Sequence, residues 1–280
     1  MNKLTLALAL TGIALSLGLY QSGSIRRLYK SEVLTALSRE QPDTRPVSEA
    51  DLAALPAPVQ KYLRYVGVVG KPRVHNFRVL SHGEIRQAAD QAWMPVQARQ
   101  YGFVCPELSR TYYISSSGLP MTGRDAYTDG HANMRITLAG IVPIADARGP
   151  EMDRSGLVTM LSDMSLYAPA TLIDARIRWE PVDALSARAH FSDHDQQISA
   201  LLRFNARGEL IDFVSDDRSK AGDHNSYERI KWSTPVRNYR DYHGLRLASE
   251  GEGIWHLKSG DLNYVRIRNE DIRWNLDAFE

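Results

Sequence analysis

Apolar and polar positions alternate with period two over most of this chain, and only a few stretches keep helical spacing. Phe77 and Val79, Tyr112 and Ile114, then Met134, Ile136 and Leu138 each stand between polar neighbours. The habit returns at Ala187, Ala189 and Phe191, at Ile198, Ala200, Leu202 and Phe204, and later at Leu245 and Leu247, Ile254 and His256, Val265 and Ile267. Successive side chains of a strand point to opposite faces, so each set marks one face of one strand. Strands at intervals of roughly 10 to 14 residues, with turn residues between, predict an antiparallel meander. Asp129-Gly130 has the chemistry of a tight hairpin turn, and Asn205 to Gly208 that of a longer one with glycine at a positive φ.

Two stretches break the alternation. In SEADLAALPAPVQKYLRYVG, Ser48 and Asp51 make a capping box, and Leu55, Val59, Leu63 and Val66 recur at helical spacing before Gly67. This predicts a short helix over 58–66. In DARGPEMDRSGL, Gly149 and Pro150 open a second helix, since proline is tolerated where the backbone N–H has no partner. Glu151 and Asp153 put negative charge in its first turn, Arg148 and Arg154 can pair with them, and Leu157, Leu161 and Met164 form its buried stripe.

The run Leu4 to Tyr20 carries no charge and is flanked by Lys3 and by Arg26, Arg27 and Lys30. It reads as a membrane-directing segment at the short limit of the ~20 residues a spanning helix needs. The expectation is an uncleaved anchor, with weak cleavage at Ser22-Gly23-Ser24 as the alternative. Basic residues on both sides leave orientation open, and the positive-inside rule leans slightly to a cytoplasmic body. Pro42 and Pro46 suit a linker. The expected division is 1–24 anchor or signal peptide, 25–47 linker, and 48–280 a single domain.

Composition removes several function classes. Lys plus Arg number 34 against 33 Asp plus Glu, a net charge of +1, so nothing attracts the whole chain to nucleic acid. Cys105 is the one cysteine; it excludes an intramolecular disulfide and a cysteine metal cluster, and reads as a small hydrophobe on a strand. The leader is followed by no lipobox. His190 and His194 are the closest histidine pair and lack a third ligand at metal spacing, so a solvated turn is expected, with no metal. Ser155 and Ser115 to Ser117 lack a nucleophile elbow and read as turn residues, and neither phosphate-loop nor dinucleotide motif occurs, so no cofactor is expected. Asp216, Asp217 and Arg218 read as a solvated strand end, with an ion pair there as the alternative. Trp179 and Trp255 sit in strand-like segments as core. Asp146 with Glu151 or Asp153 could instead be the acid and base of a hydrolase.

The architecture that fits is mainly β (α+β): a large curved antiparallel sheet or half-open barrel, with two or three short helices plugging its concave face. Short helices do not fill the concavity of some ten strands, so leftover apolar space is expected as a ligand cavity, unless a tighter barrel fills itself. Its lining is expected from Met134, Ile136, Leu138, Leu157, Leu161, Trp179, Ile198 and Leu202, with Asp146 and Arg148 as the polar rim.

The stretches LPAPVQKYLRYVGVVGKPRV, GLPMTGRDAYTDGHANMRI, IVPIADARGPEMDRSGLVTML, YAPATLI before IRWEPVD, and the late DDR resemble a bacterial family whose function is not established, over most of the chain from Asp51 onward. The layout of meander, mid-chain helix, Trp-bearing strand and returning meander more distantly resembles the outer-membrane lipoprotein carriers. That resemblance implies a half-open barrel holding lipid or acyl chains in the cell envelope, and it maps no residue. The expected function is accordingly a membrane-anchored envelope protein with its body in the periplasm or outside, binding a lipid or other lipophilic molecule. A carboxylate hydrolase and a structural envelope protein are the alternatives.

Overall fold

Residues 25–116, 118–140, 142–221 and 226–280 are described by the structure, a computed structural model. The segment expected to enter the membrane, residues 4–20, lies outside them, and among the described residues no helix is long and apolar enough to cross a bilayer.

The alternation becomes a meander of six strands: β1 (Asn76–Ile85), β2 (Met94–Phe103), β3 (Ser109–Ser116), β4 (Met121–Thr128), β5 (His131–Leu138) and β6 (Val142–Arg148). A second meander holds β7 (Ile177–Asp183), β8 (Ser186–Asp193), β9 (Gln196–Phe204) and β10 (Leu210–Ser215). The small hairpin β11 (Ser219–Ala221) and β12 (Tyr227–Arg229) follows, then β13 (Trp232–Ser233), β14 (Val236–Tyr242), β15 (Leu245–Leu257) and β16 (Gly260–Trp274). All but β11 and β12 join one 14-stranded antiparallel sheet, in which β1 pairs with β16 from Phe77 opposite Trp274 to Ile85 opposite Val265. The two meanders are thereby fused in mid-sheet; the strand order ends at β6 and β7, and β14 lies off it, paired with β15 alone.

Among the described residues four helices accompany the sheet: α1 over residues 25–39, α2 (Glu49–Leu52), α3 (Ala57–Val66) and α4 (Pro150–Tyr167), the last followed by a 3-10 turn at Pro169–Ile173. The sequence signals hold at their ends. Ser48 and Asp51 form a reciprocal capping box, Gly67 closes α3 at φ +89°, and Gly149 at φ +110° turns the chain into Pro150 at the start of α4. Asp129 and Gly130 both take positive φ in the β4–β5 turn.

The sheet is curled, because α4 reaches strands far apart in its order. Asp153 accepts the backbone N–H of Ala132 on β5 at 2.6 Å, while Arg154 donates to the carbonyl of Gln197 on β9 at 3.3 Å. The tips of the β4–β5 and β8–β9 hairpins also meet: Tyr127 donates to Asp193 at 2.7 Å, and Gly130 lies against His194, where a Cβ would stand 2.8 Å from the ring. The half-open barrel expected from the sequence is therefore present.

Four expectations need correction. Residues 25–39, within the stretch read as a linker, form a helix on the outer face of the sheet. Tyr29 and Val33 of α1 are buried there with Tyr101 and Phe103, and Arg124 pairs with Glu32; the polar look of the segment arose because only one narrow stripe of the helix is covered. Cys105 lies in the loop after β2 instead of on a strand. Ser155 is inside α4, donating to the Glu151 carbonyl at 2.7 Å, and is no turn residue, while Ser115 belongs to β3. Finally, α4 has no single buried stripe: Asp153, Ser155, Ser162, Asp163 and Ser165 are buried as well as Leu157, Leu161 and Met164, because the curled sheet surrounds the helix.

Candidate functional site

The concave face is occupied step by step along α4. Asp153 and Gly156 lie against Ala132 of β5 and Tyr127 of β4, Asp163 reaches β2 and β3, and Tyr167 meets Phe77 of β1 and accepts the indole N–H of Trp274 on β16 at 2.8 Å. These contacts fall near one end of β1 to β5. The helix thus crosses the strands at that end and leaves the inner face of their other end uncovered by it.

A buried charge cluster holds the helix in place. The Asp163 carboxylate accepts from Gln100 and from Arg110, each at 2.6 Å, and Arg110 also donates to Asp125 at 2.7 Å. Burial pushes the Asp163 carboxyl up against the pull of Arg110. Burial likewise works against the Arg110 charge, but Asp163 and Asp125 overcome it and hold the guanidinium protonated. A charge pair withdrawn from water is stable only where hydrogen bonds offset its desolvation, and here three join Asp163, Arg110, Gln100 and Asp125. On α3, Tyr62 packs against Phe204 and donates to the Ser165 carbonyl at 2.7 Å, fastening the far side of α4.

Beyond α4, strand register aligns small and apolar residues across the inner face. One row runs Ile136, Gly123, Ile114 and Ala98 over β5, β4, β3 and β2. Nearer the strand ends, Leu138 stands opposite Met121, Val96 opposite Gly83, Gly83 opposite Ile267, and Ile267 opposite Gly251. Met134, Ile114, Ile136, Leu138 and Ile267 remain half-exposed. The result is an open apolar trough. At its β6 lip, Val142 is 54% exposed beside its pairing partner Leu138, and Ile144 is 46% exposed.

The residues expected to line a cavity divide into two groups. Met134, Ile136 and Leu138 lie in the trough. Leu157, Leu161, Ile198 and Leu202 are fully buried in one continuous core with Val158, Met160 and Met164, so the space expected beneath the helix is filled. Trp179 is half-buried against that core, its indole N–H donating to the Leu172 carbonyl at 3.2 Å. Asp146 and Arg148 sit exposed on edge strand β6, 3.0 Å apart, with Arg135 at 3.3 Å. The Arg148 hydrogen bond holds the Asp146 carboxyl below its ordinary value.

The three candidate carboxylates do not converge. Asp146 stands opposite Arg135 on the outer face, Asp153 faces inward to Ala132, and Glu151 is exposed. His190 pairs outward with Glu180 at 2.9 Å, and no group of three metal-binding side chains occurs among the described residues. The outer face of β14, β15, β16 and β1 carries a shallow depression of about 550 Å³, but cross-strand ion pairs such as Arg237–Glu252 and Arg266–Glu84 fill its walls.

Sequence reasoning missed the end wall of the trough. Trp232 of β13 stands opposite Trp255 of β15, and Trp255 stacks on Tyr264 with centroids 5.9 Å apart. Arg218 lies over Trp232, 4.1 Å from its centroid, and 5.6 Å from that of Trp255. The late DDR was visible as a motif, but pairing Arg218 with two rings from distant strands needs the folded sheet.

Residues 45–267 match a family described as a family of unknown function, DUF6544. A comparison with curated proteins finds no match. Among solved structures, the chain is similar to a domain from Vibrio parahaemolyticus assigned as an outer membrane lipoprotein-sorting protein, at 10% identity and TM-score 0.43, covering 80% of this chain and 93% of that one. It is also similar to a DUF1329 family protein from Desulfovibrio piger, at 8% identity and TM-score 0.42 over 80% and 95%. A LolA superfamily protein from Nitrosomonas europaea aligns at 10% identity and TM-score 0.40 over 79% and 94%.

Proposed function

We propose for this chain, which belongs to the family of unknown function DUF6544, that it binds a lipophilic molecule along the concave trough of its sheet. The observation that carries this reading is the inner face left uncovered beside α4, where Ile114, Met134, Ile136, Leu138 and Ile267 stay half-exposed on adjoining strands. Each methylene of a chain laid there is worth about 0.8 kcal/mol on leaving water, so an alkyl tail needs few polar contacts. The ligand lies beside α4, because the core beneath the helix has no room. Residues 4–20, an uncharged apolar run, support an anchored position at a membrane. The hydrolase reading gains no support from carboxylates that face different ways.

The test uses the full chain held in amphipol. Lipid extracted from the purified protein is identified by mass spectrometry, and binding of a fluorescent fatty acid is titrated. Ile136→Asp and Leu138→Asp, both at half-exposed positions, are expected to weaken probe binding at least tenfold while leaving the melting temperature within a few degrees. A wild-type chain that carries no lipid and binds no probe removes the proposal.

A further inference from the structure

We infer that Arg218 and Tyr264 form a seat for the acidic headgroup of an amphiphile whose tail lies in the trough; this rests on the binding role proposed above. Arg218 is half-buried, its guanidinium spread over Trp232 and Trp255. Among the described residues it has no carboxylate within ion-pair distance and no side-chain hydrogen bond. Its neighbours do not serve it. Asp216 is exposed, and Asp217 accepts the Ser199 backbone N–H at 2.8 Å and faces Arg154 and Arg229, each at 3.9 Å.

The contrast with Arg110, which also stacks on an inner-face ring, that of Tyr112, is direct. Arg110 carries two carboxylates of its own, Asp163 and Asp125. A guanidinium partly withdrawn from water keeps unused donors, and its planar fork suits a carboxylate or phosphate. The Tyr264 hydroxyl adds a second donor. It accepts the Trp232 indole N–H at 3.2 Å, and among the described residues its own proton has no acceptor. The ring lies close to Gly253, where a Cβ would stand 3.0 Å from it. Gly253 stands opposite Val265, which pairs with Ile85 at the end of the trough. Apolar floor and unmatched donors therefore adjoin, which is the polarity of an alkyl chain ending in an anion.

The experiment titrates dodecanol, dodecanoate, dodecyl phosphate and inorganic phosphate into the full chain in amphipol, read by tryptophan fluorescence, since Trp232 and Trp255 are in the seat. Wild type is expected to bind the two anionic amphiphiles at least tenfold more tightly than dodecanol, and inorganic phosphate only weakly. Arg218→Gln is expected to abolish that preference while dodecanol binding is retained, Arg218→Lys to keep part of it, and Tyr264→Phe to reduce it several-fold. The anionic-to-neutral affinity ratio within each variant is insensitive to a small loss of stability. Whichever anion loses more affinity in Arg218→Gln identifies the headgroup. Equal binding of dodecanol and the anions by wild type, or an unchanged ratio in Arg218→Gln, overturns this inference and leaves the trough intact. Inorganic phosphate binding as tightly as dodecyl phosphate overturns the amphiphile and leaves a free-anion site. A wild type that binds none of the alkyl probes overturns both proposals.

Discussion

At the scale of single residues, the charges around the start of α4 have separate tasks. Asp146 and Arg148 are exposed and pair with each other, so Asp146→Asn and Arg148→Ala are each expected to change stability by less than about 0.5 kcal/mol. Asp153 is buried and holds the Ala132 N–H; Asp153→Ala leaves that donor unpaired and is expected to cost about 1–3 kcal/mol in urea unfolding. Asp212 gives a pH test. Burial, opposed by Arg203 at 4.0 Å, raises its carboxyl to about 6, and its Oδ1 has no hydrogen-bond partner. The folded chain holds this proton more tightly than the unfolded one. Its contribution to stability is thus complete below the ordinary carboxylate pKa and is lost as pH rises through about 6. Asp212→Asn is expected to be more stable than wild type at pH 8, by on the order of 2–3 kcal/mol, and alike at pH 4; equal melting temperatures at pH 8 would contradict this.

Among the elements, α4 decides what the inner face offers. Glycine within a helix normally weakens it by about 1 kcal/mol relative to alanine, so Gly156→Ala would stabilise an exposed helix. Here a Cβ would stand 2.7 Å from that of Ala132 and 2.8 Å from the Tyr127 ring. Overpacking of about 1–3 kcal/mol outweighs the propensity gain, so Gly156→Ala is expected to lower the melting temperature, with partial recovery when Ala132→Gly is added. A Gly156→Ala protein that melts higher would mean that α4 sits less closely on β5. The start of this helix was legible, because Gly149, Pro150, Glu151 and Asp153 are local signals. Its surroundings were not: Asp163 reads as a surface residue until Gln100 and Arg110 are brought to it from strands more than fifty positions away.

For the whole molecule, pairing of β1 with β16 makes the two meanders one structure, so fluorescence and near-UV circular dichroism are expected to report a single coincident unfolding transition. Removal of residues 260–280 is expected to abolish it, since it strips β1 and β15 of their shared neighbour; a truncated chain that still melts cooperatively would show the meanders to be independent. The sequence by itself determined the antiparallel meander, its glycine turns and the inward set on its most regular strands, because period-two alternation and positive-φ turn residues act within a few positions; on β15 it marked Ile254 and His256, whereas Trp255 between them is the residue buried in the core. It also determined that Met134, Ile136 and Leu138 share a face. The tertiary structure alone decided which inward residues are buried as core and which stay open. That depends on where α4 crosses the curled sheet, and hence on contacts such as Asp163 to Arg110 between distant segments. It likewise decided that α1 lies outside the sheet, and that Arg218 meets two tryptophans and no carboxylate.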